Sequence, residues 1–262
     1  MDLSSLQSLL KGITGMSWGA VVMMAVGGVL IYLAIRYEYE PLLLLPIGLG
    51  CILANIPNTG MLEEGGLLKL LYDVGIENEL FPSLVFIGIG AMTDFGPLLE
   101  NPRYALFGAA AQFGIFGTLL MATLFGFSIN EAASIGIIGA ADGPTSIFVA
   151  SALAPNLVAP ITVAAYSYMS LVPIIQPPVM RLLTTKEERR IKMPYTSKPI
   201  SRTTRILFPI VVTVVTGLIA PEATPLIGML MFGNLVREAG VVQRISQTAQ
   251  NELANLVTTF LG

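Results

Sequence analysis

The stretch Ser134-Ile135-Gly136-Ile137-Ile138-Gly139-Ala140-Ala141-Asp142-Gly143-Pro144-Thr145-Ser146-Ile147-Phe148-Val149 sets one carboxylate, then glycine and proline, in the middle of an apolar run. That run extends from Glu131 to Ala154, and about 20 apolar residues are enough to cross a bilayer. A charge near the bilayer centre costs roughly 2.5–3.5 kcal/mol even on the lenient insertion scale, so an aspartate there needs a reason. Pro144 has no N–H and would clash with the carbonyl of Ala140 in a continuous helix, and Gly143 adds backbone freedom. The helix is therefore expected to break at Asp142. A break exposes backbone carbonyls beside the carboxylate, and Thr145 and Ser146 add two hydroxyls. Hard cations prefer all-oxygen ligands, and transporters hold sodium at the unwound carbonyls of broken helices. Asp142, with Thr145 and Ser146, is thus the expected sodium site. The alternative is a kinked helix in which Asp142 only caps the next half-helix. A neutral Asn or Ser would cap without the cost of burying a charge, which favours the cation.

Outward from this stretch, apolar segments dominate. The first span is expected from Trp18 to Ile35, ending at the interface belt Arg36-Tyr37-Glu38-Tyr39-Glu40. Leu42–Ile56 is apolar but short and holds Pro46, Gly48 and Gly50, as in a half-span or re-entrant segment. Residues 61–80 carry Glu63, Glu64, Asp73, Glu77 and Glu79 against Lys69 and read as a surface excursion. Phe81–Met92, Tyr104–Phe127, Leu157–Met180, Ile206–Ala220 and Ala223–Val236 are further apolar runs. Arg244–Asn255, rich in Asn, Gln and Ser, reads as an interfacial turn or a polar helix lining a cavity. Leu3, Leu6, Leu9, Leu10 and Ile13, with Lys11, suit a short amphipathic helix in the interface. The start Met1-Asp2-Leu3-Ser4-Ser5 has no basic region and no small-residue cleavage site after it, so no signal peptide is expected. Eight of the 14 basic residues (Arg181, Lys186, Arg189, Arg190, Lys192, Lys198, Arg202 and Arg205) fall in 181–205, which the positive-inside rule makes cytoplasmic. This loop either only fixes topology and touches anionic headgroups or docks an acidic soluble partner.

Composition agrees. The chain has 262 residues, 54% hydrophobic and 12% charged, with a mean hydropathy of +0.75. Soluble domains carry roughly 25% charged residues, so lipid must cover what charge does not. The fold expected is all-α: a polytopic transmembrane bundle with broken or re-entrant helices, transporter-like, one membrane domain over 1–262 with about seven or eight apolar segments. The single cysteine, Cys51, excludes a disulfide framework and a cysteine metal site. Histidine is absent, so proton chemistry falls to carboxylates and tyrosines.

Tyr166, Ser167, Tyr168 and Ser170 lie in the span after Asp142, where phenols need partners. Tyr166 and Tyr168 are candidates to supply a proton or a cation ligand, against ordinary hydrogen bonding between helices. The same span holds Pro173, Pro177 and Pro178 and is expected to be irregular. Gly88–Pro97 echoes Gly136–Pro144: each is a glycine-spaced apolar run reaching an acid and then Gly-Pro, the kind of weak internal symmetry that points to transporter sites. Asp94 itself reads as a cap or as an interface partner of Arg103. Asn55, at the end of the short apolar segment, and Asn234, in the late one, either contribute a ligand or serve in capping and packing, and capping or packing is the reading preferred.

Six segments together carry a resemblance: Pro41-Leu42-Leu43-Leu44-Leu45-Pro46-Ile47-Gly48, Gly90-Ala91-Met92-Thr93-Asp94-Phe95-Gly96-Pro97-Leu98-Leu99, Gly108-Ala109-Ala110-Ala111-Gln112-Phe113-Gly114-Ile115-Phe116, Gly139-Ala140-Ala141-Asp142-Gly143-Pro144-Thr145, Ala164-Ala165-Tyr166-Ser167-Tyr168-Met169 and Phe232-Gly233-Asn234-Leu235. The chain resembles, over essentially its whole length, the beta subunit of the sodium-translocating, biotin-dependent decarboxylases that act on oxaloacetate, methylmalonyl-CoA, glutaconyl-CoA or malonate. The resemblance implies an enzyme and translocase in the bacterial plasma membrane. It would decarboxylate carboxybiotin, held by a partner subunit and not by this chain, and drive Na+ outward while consuming a proton. It implies Na+ and biotin as cofactors. Biotin carrier, carboxyltransferase and small membrane subunits are the implied partners, along with further copies of the chain and the lipid bilayer; no nucleic acid is expected. Asp142 matches the membrane aspartate tied to sodium coupling, Tyr168 a tyrosine implicated near it, and Tyr166 shares that motif. Family members continue well past the position of Gly262 into a block that repeats the broken-helix design and supplies asparagine and serine site residues. The chain is therefore expected to hold only part of the family fold. The competing reading is a secondary transporter that exchanges Na+ or H+ for an organic anion without decarboxylation. A membrane scaffold that only anchors the carboxyltransferase is a third.

Overall fold

The structure is a computed structural model and describes residues 12, 15–38, 41–192 and 200–262. The interfacial helix expected over residues 3–13 lies outside them except for position 12, as do Tyr39, Glu40 and Lys198. Among the described residues every regular element is helical. We number the helices α1 (Trp18–Tyr37), α2 (Pro41–Asn55), α3 (Leu67–Leu71), α4 (Leu80–Met92), α5 (Gly96–Glu100), α6 (Ala105–Leu124), α7 (Ile129–Gly136), α8 (Gly143–Leu153), α9 (Val158–Leu183), α10 (Arg202–Ile219), α11 (Thr224–Ala239), α12 (Gln243–Thr248) and α13 (Ala254–Leu261). Short 3₁₀ and π turns join several of them.

Among the described residues three helical stretches, Trp18–Tyr37, Pro102–Leu124 and Arg202–Ile219, are long and apolar enough to cross a membrane, and up to five if two bent pairs each make one span. The chain is a helical membrane protein. Length separates these spans from the other apolar segments. The 15 residues of α2 rise about 22 Å, short of the ~30 Å hydrocarbon core. The 11 residues of α8 rise about 16 Å, roughly half of it. The outer face of α6 leaves Phe113 and Leu124 each 84% exposed; side chains of this kind are stable only against lipid or another apolar surface.

The chain divides into two compact units, one of residues up to Phe81 with Asn255–Gly262, the other Pro82–Ala254. In the first, α1 packs along α2, with Gly27 and Gly48 at the crossing. Ser17 caps α1 by accepting the Ala20 N–H at 3.1 Å. Part of 61–80, expected as a surface excursion, winds into α3 and a π turn over Tyr72–Glu77, with Lys69 paired to Asp73 one turn on.

In the second unit α6 packs on α7, α7 on α8, α8 on α9, and α10 on α11. The bend expected in the proline-bearing span is present: 155–169 and 174–183 differ in direction by 60°, the usual consequence of proline in a helix. Helices α4 and α11 cross at backbone contact. A Cβ on Gly90 would stand 1.8 Å from the Leu230 carbonyl oxygen, and one on Gly233 would stand 2.0 Å from that of Ile87. Only glycine permits that approach, as membrane helix crossings commonly require. Two residues of the basic stretch serve this unit's packing. Arg202 donates to the Ala239 carbonyl at 2.6 Å, satisfying the end of α11, and Arg205 lies 3.6 Å from Glu238. In the turn after α9, the Thr185 N–H and hydroxyl hold the Glu188 carboxyl below its usual range.

Candidate functional site

The expected break in the central stretch is present, and its construction can be followed residue by residue. Helix α7 begins with a reciprocal cap. The Glu131 N–H donates to Ser128 Oγ at 3.4 Å, and the Ser128 N–H donates to Glu131 Oε2 at 3.0 Å. Glu131 Oε1 also accepts from Asn156 Nδ2 at 3.1 Å, tying the start of α7 to the link between α8 and α9. Ser128→Ala should cost about 1 kcal/mol, the usual worth of such a cap, read as a lowered melting temperature of the solubilised protein.

After α7 the chain tightens into a 3₁₀ turn over Ile137–Ala140. Gly136 and Gly139 lie against Ile115 of α6, where a Cβ would sit 2.9 Å from its carbonyl and 3.4 Å from its side chain respectively. Ala141 then adopts φ 55° and ψ 37°, a left-handed conformation that costs an L residue roughly 1–2 kcal/mol. That residue turns the chain out of one helix, and Asp142, extended at φ −132° and ψ 106°, starts the next. Pro144 falls in the first turn of α8, where its missing N–H is one of those that lack a helical partner in any case.

Asp142 is half-buried, with its carboxylate held from within its own turn. Oδ2 accepts the Thr145 hydroxyl at 2.6 Å and Oδ1 the Thr145 N–H at 3.5 Å. Its carbonyl oxygen accepts the Ser146 N–H at 3.1 Å and the Ser146 hydroxyl at 2.9 Å. The capping role weighed from the sequence is therefore present, and it draws Asp142, Thr145 and Ser146 into one oxygen-rich knot. A carboxylate has about four lone-pair directions, and each hydroxyl that donates keeps its own lone pairs, so oxygen ligands remain for a cation. Among the described residues no three His, Cys, Asp or Glu side chains gather in a metal-holding group. A cation here would be held by one carboxylate with hydroxyl and carbonyl oxygens, a donor set suited to a hard, singly charged ion.

Of the two candidate tyrosines, Tyr166 reaches the break. Its side chain is 1% exposed, and a Cβ on Gly143 would stand 2.0 Å from Tyr166 Cε1. The ring thus lies on the backbone at the residue after Asp142. Tyr168 is two residues on, about 200° round the helix, on a side that leaves it 38% exposed. The sequence echo is also real. Helix α4 ends at Met92, residues 93–95 are non-helical, and Asp94 Oδ1 accepts the Gly96 N–H at 2.9 Å as α5 begins with Gly96-Pro97. The charge partner of Asp94 is Arg237 at 3.9 Å, where the sequence suggested Arg103. Asn55 donates to the Cys51 carbonyl at 2.8 Å within α2. Arg244–Asn255, read as an interfacial turn or a polar helix, is helical: it runs from α12 through a π turn over Ala249–Leu253 into α13.

Residues 19–262 match the family described as the Na+-transporting oxaloacetate decarboxylase beta subunit. The chain belongs to that family. Among its relatives, the glutaconyl-CoA decarboxylase subunit beta of Acidaminococcus fermentans is 56% identical over 96% of this chain and 67% of that protein. The methylmalonyl-CoA decarboxylase subunit beta of Veillonella parvula is 54% identical over 98% of this chain and 69% of its own length. A probable oxaloacetate decarboxylase beta chain of Vibrio cholerae is 44% identical over 96% and 72% respectively. This beta-subunit relative is accordingly a membrane subunit of the sodium-transporting decarboxylases, and the broken helix at Asp142 lies inside the matched region.

Proposed function

We propose that the chain decarboxylates carboxybiotin presented by a partner subunit and couples that reaction to Na+ export. The observation that carries the reading is the knot at the 141–142 break, where one carboxylate and two hydroxyls meet at the junction of two short helices. In the reaction the N–CO₂⁻ bond of carboxybiotin breaks, CO₂ leaves, and the ring nitrogen takes a proton. A sodium ion and a proton compete for the Asp142 carboxylate, so arrival of one releases the other. The proton so acquired passes to biotin, directly or through a phenol of the Tyr166–Tyr168 motif as general acid. Tyr166 is the nearer to the break, and Tyr168 stands on the more open face. Moving one charge against 100 mV costs about 2.3 kcal/mol, so a site reached alternately from each side is needed to prevent decarboxylation without ion movement.

Biotin carrier and carboxyltransferase subunits are the partners in this reading, with a small membrane subunit and further copies of the chain. In this reading the basic stretch over 181–205 faces the cytoplasm, and Arg190 and Lys192, both exposed, meet an acidic partner. The test uses the whole complex reconstituted in vesicles, supplied in turn with oxaloacetate, glutaconyl-CoA and methylmalonyl-CoA. One of the three should drive sodium-22 movement, and avidin should stop it. Flux that persists with the biotin sequestered would replace this reading with that of a secondary transporter.

A further inference from the structure

The two helix breaks look alike in sequence but are closed in different ways. At 141–142 Asp142 is held by hydrogen bonds that reach three or four residues along the chain. At 93–95 the carbonyls freed by the end of α4 are met from a distant helix. Asn234 of α11 is 1% exposed, and its Nδ2 donates to the Gly90 carbonyl at 3.3 Å and the Thr93 carbonyl at 2.9 Å. Arg237, one turn further along α11, donates to the Met92 carbonyl at 3.0 Å. The Ile89 carbonyl is taken by the Thr93 N–H and hydroxyl at 2.9 and 2.7 Å. Arg237 also lies 3.7 Å from Glu238, which in turn lies 3.6 Å from Arg205 of α10. Phe95 packs on Phe208 with ring centroids 5.2 Å apart.

We infer that Asn234 is a positioning residue that seals the first break. Its amide N–H₂ takes the place at the focus of the Gly90 and Thr93 carbonyls that a cation would otherwise take. The inference extends the proposed function in one respect, since it leaves the 141–142 break as the place for the cargo ion. The seal itself stands on the Asn234 geometry alone. An amide suits the task chemically. It gives two hydrogens without charge, whereas a carboxylate gives none and would bring a third anionic or dipolar oxygen to the same point. The backbone contact between α4 and α11 at Gly90 and Gly233 holds that amide in register.

The experiment compares Asn234→Asp and Asn234→Ala with wild type in the solubilised complex. Each is melted in choline chloride and in sodium chloride at constant ionic strength. Asn234→Asp should melt several degrees low in choline and recover with sodium more steeply than wild type, because the new carboxylate recruits a cation between the carbonyls. Asn234→Ala should melt low with no added sodium dependence. An Asn234→Asp complex whose sodium dependence equals that of wild type overturns the inference. Asn234→Ser, which keeps one donor, guards against variants that do not assemble. Its decarboxylation should show kcat reduced several-fold with the KM for Na+ within about twofold of wild type. A KM for Na+ raised tenfold or more at unchanged kcat would make Asn234 a ligand of the cargo and defeat the sealed-break assignment. If the cargo assignment of Asp142 were wrong, the Asn234→Asp melting result would be unaffected, so the two failures are separable.

Discussion

The Asp142→Asn complex is expected to assemble, to melt close to wild type, and to move sodium at about one-hundredth of the wild-type rate or less. The two halves of that result have different physical sources. Asparagine is as good an N-cap as aspartate, and its Oδ1 can still accept the Thr145 N–H and hydroxyl that now reach the carboxylate. The start of α8 should therefore survive. What is lost is the single negative charge and the second acceptor oxygen. In the proposed site the carboxylate is the ion's charged partner, and losing one partner of such a pair costs about 2–5 kcal/mol of binding, not of folding. Asp142 is half-buried, so about 3 kcal/mol applies, and every 1.4 kcal/mol is tenfold. Sodium-22 uptake by reconstituted vesicles, alongside a melting curve, reads both halves. Transport that continues near the wild-type rate would reduce Asp142 to a cap and remove the basis of the proposed coupling.

Gly143→Ala is the second large effect, and it acts through shape alone. The added Cβ would stand 2.0 Å from Tyr166 Cε1 and 2.5 Å from Cζ, far inside contact distance. Tyr166 is 1% exposed, so the ring has little room to retreat. Overpacking of this kind costs typically 1–3 kcal/mol, occasionally more, and here the displaced backbone carries Asp142. We expect a lower melting temperature and a fall in sodium-coupled turnover beyond what the lost stability explains. Tyr166→Leu leaves a cavity and is destabilising by itself. The double variant Gly143→Ala with Tyr166→Leu should be less destabilised than the sum of the two, because the methyl group fills space the ring gave up. Strict additivity in that cycle would mean that the two residues do not meet.

The likeness of the two Gly-Pro breaks is legible in the sequence because both rest on local chemistry. Proline lacks an N–H and an acid before it caps the next turn, whatever lies around them. The roles of the breaks differ for reasons outside those motifs. Asn234 lies 141 residues from Thr93, and no spacing rule connects them. Its appearance as a lone amide in an apolar helix marked it as a capping or packing residue, without naming the carbonyls it meets. Asp94 likewise had a cationic neighbour in Arg103 close by in sequence, yet the cation beside it is Arg237.

The sequence by itself determined the membrane class, the family and the helix break at Asp142. Hydropathy, six ordered motifs and the geometry of Gly-Pro each act over short stretches of chain. Only the tertiary structure decided that Tyr166 lies on Gly143, that α4 and α11 touch through Gly90 and Gly233, and that one break is closed by Asn234. Such pairings depend on which helix faces meet, and helix faces are chosen by packing among elements distant in sequence, where local periodicity carries no information about the partner.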